Sequence, residues 1–184
     1  CVPHIHLLYP VKYIIAALLC LSAATTYAQH EEKWDTYVAM FGDKYGSVLV
    51  DMARISSAPD KSLPYLVVTG PRAHKCDKRG IPDKEEIDML EAILDATGSF
   101  LTGATPKALV GTFTSNCERL NYYYVKDTTA VRNAIARMYN RNYKDYSYKI
   151  SIRPDAEWST YRTFLYPTDE TKKRIEQAAG KEKK

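Results

Sequence analysis

The chain predicts an α+β fold: an antiparallel sheet carrying helices, preceded by an N-terminal β-hairpin and followed by a short C-terminal helix. Three observations predict it. Short runs rich in β-branched and aromatic residues recur along the chain, some of them alternating with polar residues. Two longer stretches between these runs carry apolar residues at helical spacing. Near the C-terminus, Asp155–Thr168 gathers one of the two Trp with Tyr161, Phe164, Leu165 and Tyr166, then stops at Pro167. Large aromatics dominate core energetics, so this run reads as the segment that closes the core.

The first residues read as a leader. Val11-Lys12 is a short positive region, Tyr13–Leu21 an apolar run, and Thr26 and Ala28 are the small residues a signal peptidase reads. Residues 1–28 are therefore expected to be upstream residues plus a secretory signal peptide, with Val11 as a candidate start, and 29–184 to be a single α+β domain. The apolar run is shorter than the about 20 residues a membrane helix needs, so no stable membrane insertion is expected after cleavage. Cys20 follows Leu19 where a lipoprotein signal needs a small residue.

Trp34–Phe41 and Ser47–Ala53 flank the turn cluster Gly42–Gly46 and read as a hairpin. Tyr65–Thr69 is continuously apolar, the mark of a central strand buried on both faces. Asp83 followed by Glu86 forms a capping-box pattern just after Pro82. Ile87, Leu90, Ile93, Leu94 and Leu101 then share a helical face up to Gly103. Lys107–Thr114 and Arg119–Val125 form a second hairpin around Ser115–Glu118. Asp127 and Thr128 are candidate caps for a helix whose apolar face is Val131, Ala134, Ile135 and Met138. Tyr146, Tyr148, Ile150 and Ile152 alternate with Ser147, Lys149, Ser151 and Arg153, which predicts an edge strand with one wet face. Thr168 caps a last charged helix, with Ile175 as its main apolar anchor.

From Tyr65 onward the order is strand, helix, strand, strand, helix, strand. That is a ferredoxin-like βαββαβ core, the split βαβ pattern. It places the first strand inside the sheet and the last at an edge. Trp34-Asp35-Thr36-Tyr37 and Trp158-Ser159-Thr160-Tyr161 also share Trp-x-Thr-Tyr, a short echo of the kind an internal duplication leaves.

The formal net charge is +4, from 26 basic and 22 acidic residues, with no dense basic patch. This is too mild a balance to argue for nucleic acid. Outside the leader only Cys76 and Cys117 remain of four Cys, and only His30 and His74 of four His. In an exported chain the two cysteines are a disulfide candidate, the alternative being two separate thiols. His74, Cys76 and Cys117 could share a metal only if the fold brings Cys117 close, and no metal or cofactor is expected. There is no Gly-x-Ser-x-Gly elbow and no Gly-rich phosphate loop. The acids Glu85, Asp88, Glu91 and Asp95 read as a solvated helix face.

Four stretches carry a family resemblance. They are Trp34-x-x-Tyr37; Arg79-Gly80-Ile81-Pro82 before an acidic helix; Val110-Gly111 leading to Asn121-Tyr122-Tyr123-Tyr124; and Asp155-x-x-Trp158-x-x-Tyr161 ending in Leu165-Tyr166-Pro167. Taken in order, they resemble the bacterial family called domain of unknown function 695 over nearly the whole mature chain. The resemblance implies no catalytic residues. In longer relatives a region resembling regulator of ribonuclease activity B follows the Leu-Tyr-Pro segment; these 184 residues do not include it.

The segment Gly70–Pro82 is the candidate binding region. It joins a predicted central strand to a helix start and carries Arg72, His74, Lys75, Lys78 and Arg79, in a setting where loops held by a scaffold concentrate function. Pairing of Arg79 with one of Asp83, Glu85 or Glu86 is the plain structural alternative. Tyr123, in a run that alternates across the sheet, is the candidate for stacking on a sugar or base; packing within the sheet is the other reading. The expected function is that of an exported, periplasmic or secreted, non-enzymatic binding or regulatory module of the cell envelope. Its expected partner is an envelope protein or a small acidic ligand. The alternative is an envelope hydrolase with a site near His74 and Cys76.

Overall fold

A computed structural model describes residues 30–42 and 44–182. The leader and its cleavage point lie outside the described residues. Six strands are described: β1 (Trp34–Phe41), β2 (Lys44–Asp51), β3 (Tyr65–Pro71), β4 (Lys107–Ser115), β5 (Glu118–Val125) and β6 (Tyr148–Pro154). The helices are α1 (Lys84–Thr102), α2 (Val131–Asn142) and α3 (Asp169–Glu182), with a 3-10 turn at Met52–Ser56 and a π turn at Tyr161–Leu165.

The strands form one sheet in the order β1-β2-β4-β5-β3-β6, every neighbouring pair antiparallel. The fold is thus α+β, and the N-terminal hairpin extends the sheet beyond β4. β3 lies between β5 and β6, and Leu66–Pro71 are all buried, as a continuous apolar run requires. β6 is an edge: Tyr148, Ile150 and Ile152 are half-buried while Lys149, Ser151 and Arg153 are exposed.

Each face of the sheet has its own core. On one face Val67, Tyr123 and Val125 pack under Ile93, Leu94 and Leu101 of α1 and Val131, Ile135 and Met138 of α2. On the other, Val48, Val50, Leu66, Val110, Tyr122 and Tyr124 are covered by Trp158, Tyr161 and Leu165. Period-two alternation therefore sends Tyr122 and Tyr124 to one core and Tyr123 to the other. The Asp155–Thr168 segment is the lid of the second core: Trp158, Tyr161 and Leu165 are fully buried and Phe164 partly so.

Several local expectations are corrected. β2 ends at Asp51 rather than Ala53, because the buried Asp51 carboxylate accepts from Ala53 N at 3.1 Å and bends the chain into the 3-10 turn. The first hairpin turn is tighter than Gly42–Gly46, since Phe41 already pairs with Lys44. Asp83 is the N-cap of α1 but makes no side-chain capping bond. Ile87 lies off the buried face at 41% exposure. Asp127 accepts from Thr129 N at 2.7 Å in a local turn, and the N-cap of α2 is Ala130. The two Trp-x-Thr-Tyr stretches are not a structural repeat: the first is a β-strand, and the second is a turn with Trp158 at φ 54 running into the π turn. Thr168 does cap α3, its Oγ1 accepting from Thr171 N at 3.2 Å.

Candidate functional site

β3 leaves the middle of the sheet at Pro71 and α1 starts at Lys84. The segment between them folds back onto the β4–β5 turn. That turn is two residues, Asn116 and Cys117, with φ 54 and 62. Paired left-handed residues match the twist of a tight hairpin. Ala73 N donates to Cys117 O at 2.7 Å, and Cys117 N donates to Gly80 O at 2.7 Å. Cys76 and Cys117 are joined by a disulfide, with their Cα atoms 5.7 Å apart. Gly80 sits at φ 78, where a Cβ would lie 2.8 Å from Asn116 Cα, so only glycine lets the loop come this close.

Asp77 organises the tip of the loop. Its Oδ1 accepts from Arg79 N at 2.8 Å and Ile81 N at 2.9 Å, and its Oδ2 accepts from Arg79 Nε at 2.9 Å. Hydrogen bonding from Ile81, then Arg79, holds this carboxyl below its usual range. Arg79 is therefore paired with Asp77 rather than with Asp83, Glu85 or Glu86.

The other loop residues divide into engaged and free. The Arg72 guanidinium donates to Asn116 O at 3.3 Å and lies 3.6 Å from Glu118, whose other oxygen meets Lys149 Nζ at 2.7 Å. The His74 ring stacks on Tyr146 with centroids 4.2 Å apart. Its Nε2 lies 3.1 Å from Asp145 O and its Nδ1 3.7 Å from Glu86 Oε1. A carbonyl only accepts, so Nε2 carries the proton of that bond. Glu86, buried at 8% exposure, also accepts from the Tyr146 hydroxyl at 3.4 Å. Burial, then this carboxylate, push the Tyr146 phenol above its usual range. Lys75 and Lys78 are exposed and have no side-chain partner among the described residues.

A cleft of about 430 Å³ opens beside the tip, between Lys44 and Tyr45 of the first hairpin, the loop residues Lys78 and Arg79, and Asn116. Tyr123 is elsewhere. It is 1% exposed beneath α1, its hydroxyl reaching Leu94 O at 3.4 Å, and it presents no open ring. Among the described residues no group of three His, Cys, Asp or Glu could hold a metal ion, and no helix is long and apolar enough to cross a membrane.

Reading the sequence overlooked three contributors: Asp77, Glu86 and Tyr146. Asp77 had a local signal, an Asp shortly before Gly80 in a polar loop, which favours a side-chain-to-backbone turn. Glu86 looked like a capping residue and Tyr146 like a strand residue, and only the tertiary fold brings them together around His74.

No curated protein and no solved structure matches the chain. A family model does match, described as a family of unknown function, DUF695, and it covers residues 32–166. That span takes in both hairpins, the stapled loop, both core helices and the aromatic lid, and on it the chain belongs to the DUF695 family.

Proposed function

We propose that the chain is a non-enzymatic binding or regulatory module of the cell envelope, and that it meets an acidic partner, an envelope protein or a small acidic ligand, with the loop 72–80. The observation that carries this reading is the pairing of a fixed backbone with free charge. The disulfide, the Asp77 bonds and the two backbone bonds to Cys117 hold the loop, while Lys75 and Lys78 stand exposed with no side-chain partner among the described residues. A backbone held before binding loses little further freedom on association. Lys44 and Lys78 flank the cleft, which is of a size for a small anion-bearing molecule. A disulfide also suits an oxidising compartment, in line with the leader read from residues 1–28.

Two features weigh against the hydrolase alternative. Cys76 is in the disulfide and offers no thiolate. His74 is held by its Nε2 bond to Asp145 O and its stack on Tyr146, and it is not among the residues that line the cleft, so it is not poised there as a general base. We also infer a ferredoxin-like core, supported by the local strand order β4-β5-β3-β6 and by the two helices packed on one face.

Capture from an envelope fraction tests the reading. The wild-type protein is expected to retain a defined acidic partner that Lys75→Ala/Lys78→Ala loses at unchanged melting temperature. Equal capture by both proteins would remove the loop from consideration.

A further inference from the structure

On the sheet face opposite the helices, a groove of about 430 Å³ lies between the edge strand β6 and the turn that follows Trp158. Its floor is Val68, Tyr122 and Phe164, the two rings tilted with centroids 5.9 Å apart. Its walls carry hydroxyls from Ser151, Ser159, Thr160 and Thr163, and one charged group, Arg153. None of these residues belongs to the loop 72–80.

Arg153 is held but not neutralised. Its Nη2 donates to Thr160 Oγ1 at 2.9 Å, which fixes the guanidinium over the groove. Among the described residues it has no ion pair. The carboxylate nearest in sequence, Asp155, is fully used elsewhere. Its oxygens accept from the Tyr124 hydroxyl at 2.6 Å, Ser159 N at 2.8 Å and Thr160 N at 3.0 Å. Lys149, on the same face of β6, is already paired with Glu118. A guanidinium with most of its five donors free, set above an aromatic floor, is suited to bidentate capture of a carboxylate.

The remaining walls are neutral and both donate and accept. The hydroxyls of Tyr122, Ser151 and Ser159 have no hydrogen-bond partner among the described residues. Tyr122 is pushed up to about 12 by burial, with the Arg153 charge acting the other way, so its phenol stays a donor at neutral pH. Several two-way hydroxyls around a partly apolar floor complement a ring that bears its own hydroxyls on one side and C–H groups on the other. One positive charge without a second cation matches a monoanion better than a phosphate dianion.

We propose that this groove is a binding site for an acidic sugar: a monosaccharide unit whose carboxylate is taken by Arg153, whose hydroxyls meet Ser151, Ser159 and Tyr122, and whose C–H face rests on Phe164. The site does not depend on the loop and would stand if the loop had no partner.

The test is titration of the full protein with glucuronate, glucose and glucose 6-phosphate, followed by the amide shifts of Ser151, Ser159 and Thr160. Glucuronate is expected to move these resonances at the lowest concentration. Arg153→Gln is expected to weaken glucuronate about tenfold or more, as loss of a charged hydrogen bond does, and to weaken any glucose binding far less. Arg153 is exposed, so the variant should melt like the wild type; Arg153→Lys, which keeps the charge but not the fork, is expected to restore only part of the affinity. No response to glucuronate, equal response to glucose, tighter binding of the phosphate, or an Arg153→Gln variant that binds glucuronate normally would each overturn the assignment.

Discussion

Trp158 stacks on Tyr124 with ring centroids 4.1 Å apart and planes within 11°, while its indole N–H donates to Leu63 O at 3.0 Å. The Tyr124 hydroxyl in turn donates to Asp155, whose carboxylate receives the first amides of the turn that carries Trp158. Sheet, loop and lid are thereby tied through one indole and one phenol. Tyr37 and Tyr161 complete the closure from the N-terminal hairpin side: the Tyr37 hydroxyl donates to Leu165 O at 2.9 Å, and that of Tyr161 to Asp51 O at 2.8 Å.

Trp158→Ala is expected to cost about 3–5 kcal/mol, as large-to-small aromatic changes in cores do. The side chain is fully buried and its loss also leaves Leu63 O without a partner. Urea unfolding of the oxidised protein checks it. A variant as stable as the wild type would show that the segment does not close the core.

Asp155 gives the lid an acid dependence. Burial alone would raise its carboxyl, but the bonds from Tyr124, Thr160 and Ser159 outweigh it and hold the group below its usual range. A carboxyl depressed in the folded state stabilises above its unfolded pKa of about 3.9, and that stabilisation is lost as pH falls through the folded value. Asp155→Asn is thus expected to melt lower than the wild type at neutral pH, with the gap closing in strongly acidic buffer. Melting curves against pH read this directly, and a gap that stayed constant into acid would contradict it.

How much of this was legible in the sequence depends on whether the cause was local. Tyr65–Thr69 announced a two-sided strand and the alternation Tyr146–Arg153 an edge because burial pattern follows from strand position alone. The lid was legible because few places other than a core suit so many adjacent aromatics. The capping box was misread because Glu86 answers to His74 and Tyr146, which arrive from other elements. The Arg153 groove left no motif at all. Ser151 and Arg153 looked like the wet face of an edge strand, and only the lid folding over Tyr122 turns that face into a recess. Tyr123 differed from its neighbours only by parity, and a one-residue register decides which core it enters.

The Cys76–Cys117 disulfide closes a 41-residue separation. Constraining a loop of this length in the unfolded chain stabilises by about 3–4 kcal/mol. Cys76→Ser/Cys117→Ser should lose about that much in denaturant unfolding and should speed hydrogen exchange at the amides of positions 73 and 117, which clamp the loop to the turn. Unchanged exchange at those two amides would mean that the backbone bonds hold the loop unaided.

The most direct measurement of a localised, pre-set cationic surface is retention of the oxidised protein on immobilised polyaspartate as salt is raised. Lys75→Ala/Lys78→Ala is compared with Lys61→Ala/Lys126→Ala, which removes the same charge from exposed positions elsewhere. The loop variant is expected to elute at distinctly lower salt than the wild type, and the control variant beside the wild type, because screened contacts reward charges that are held together near the ligand. Coincident elution of the two variants would contradict a binding surface at the loop and leave net charge as the whole effect.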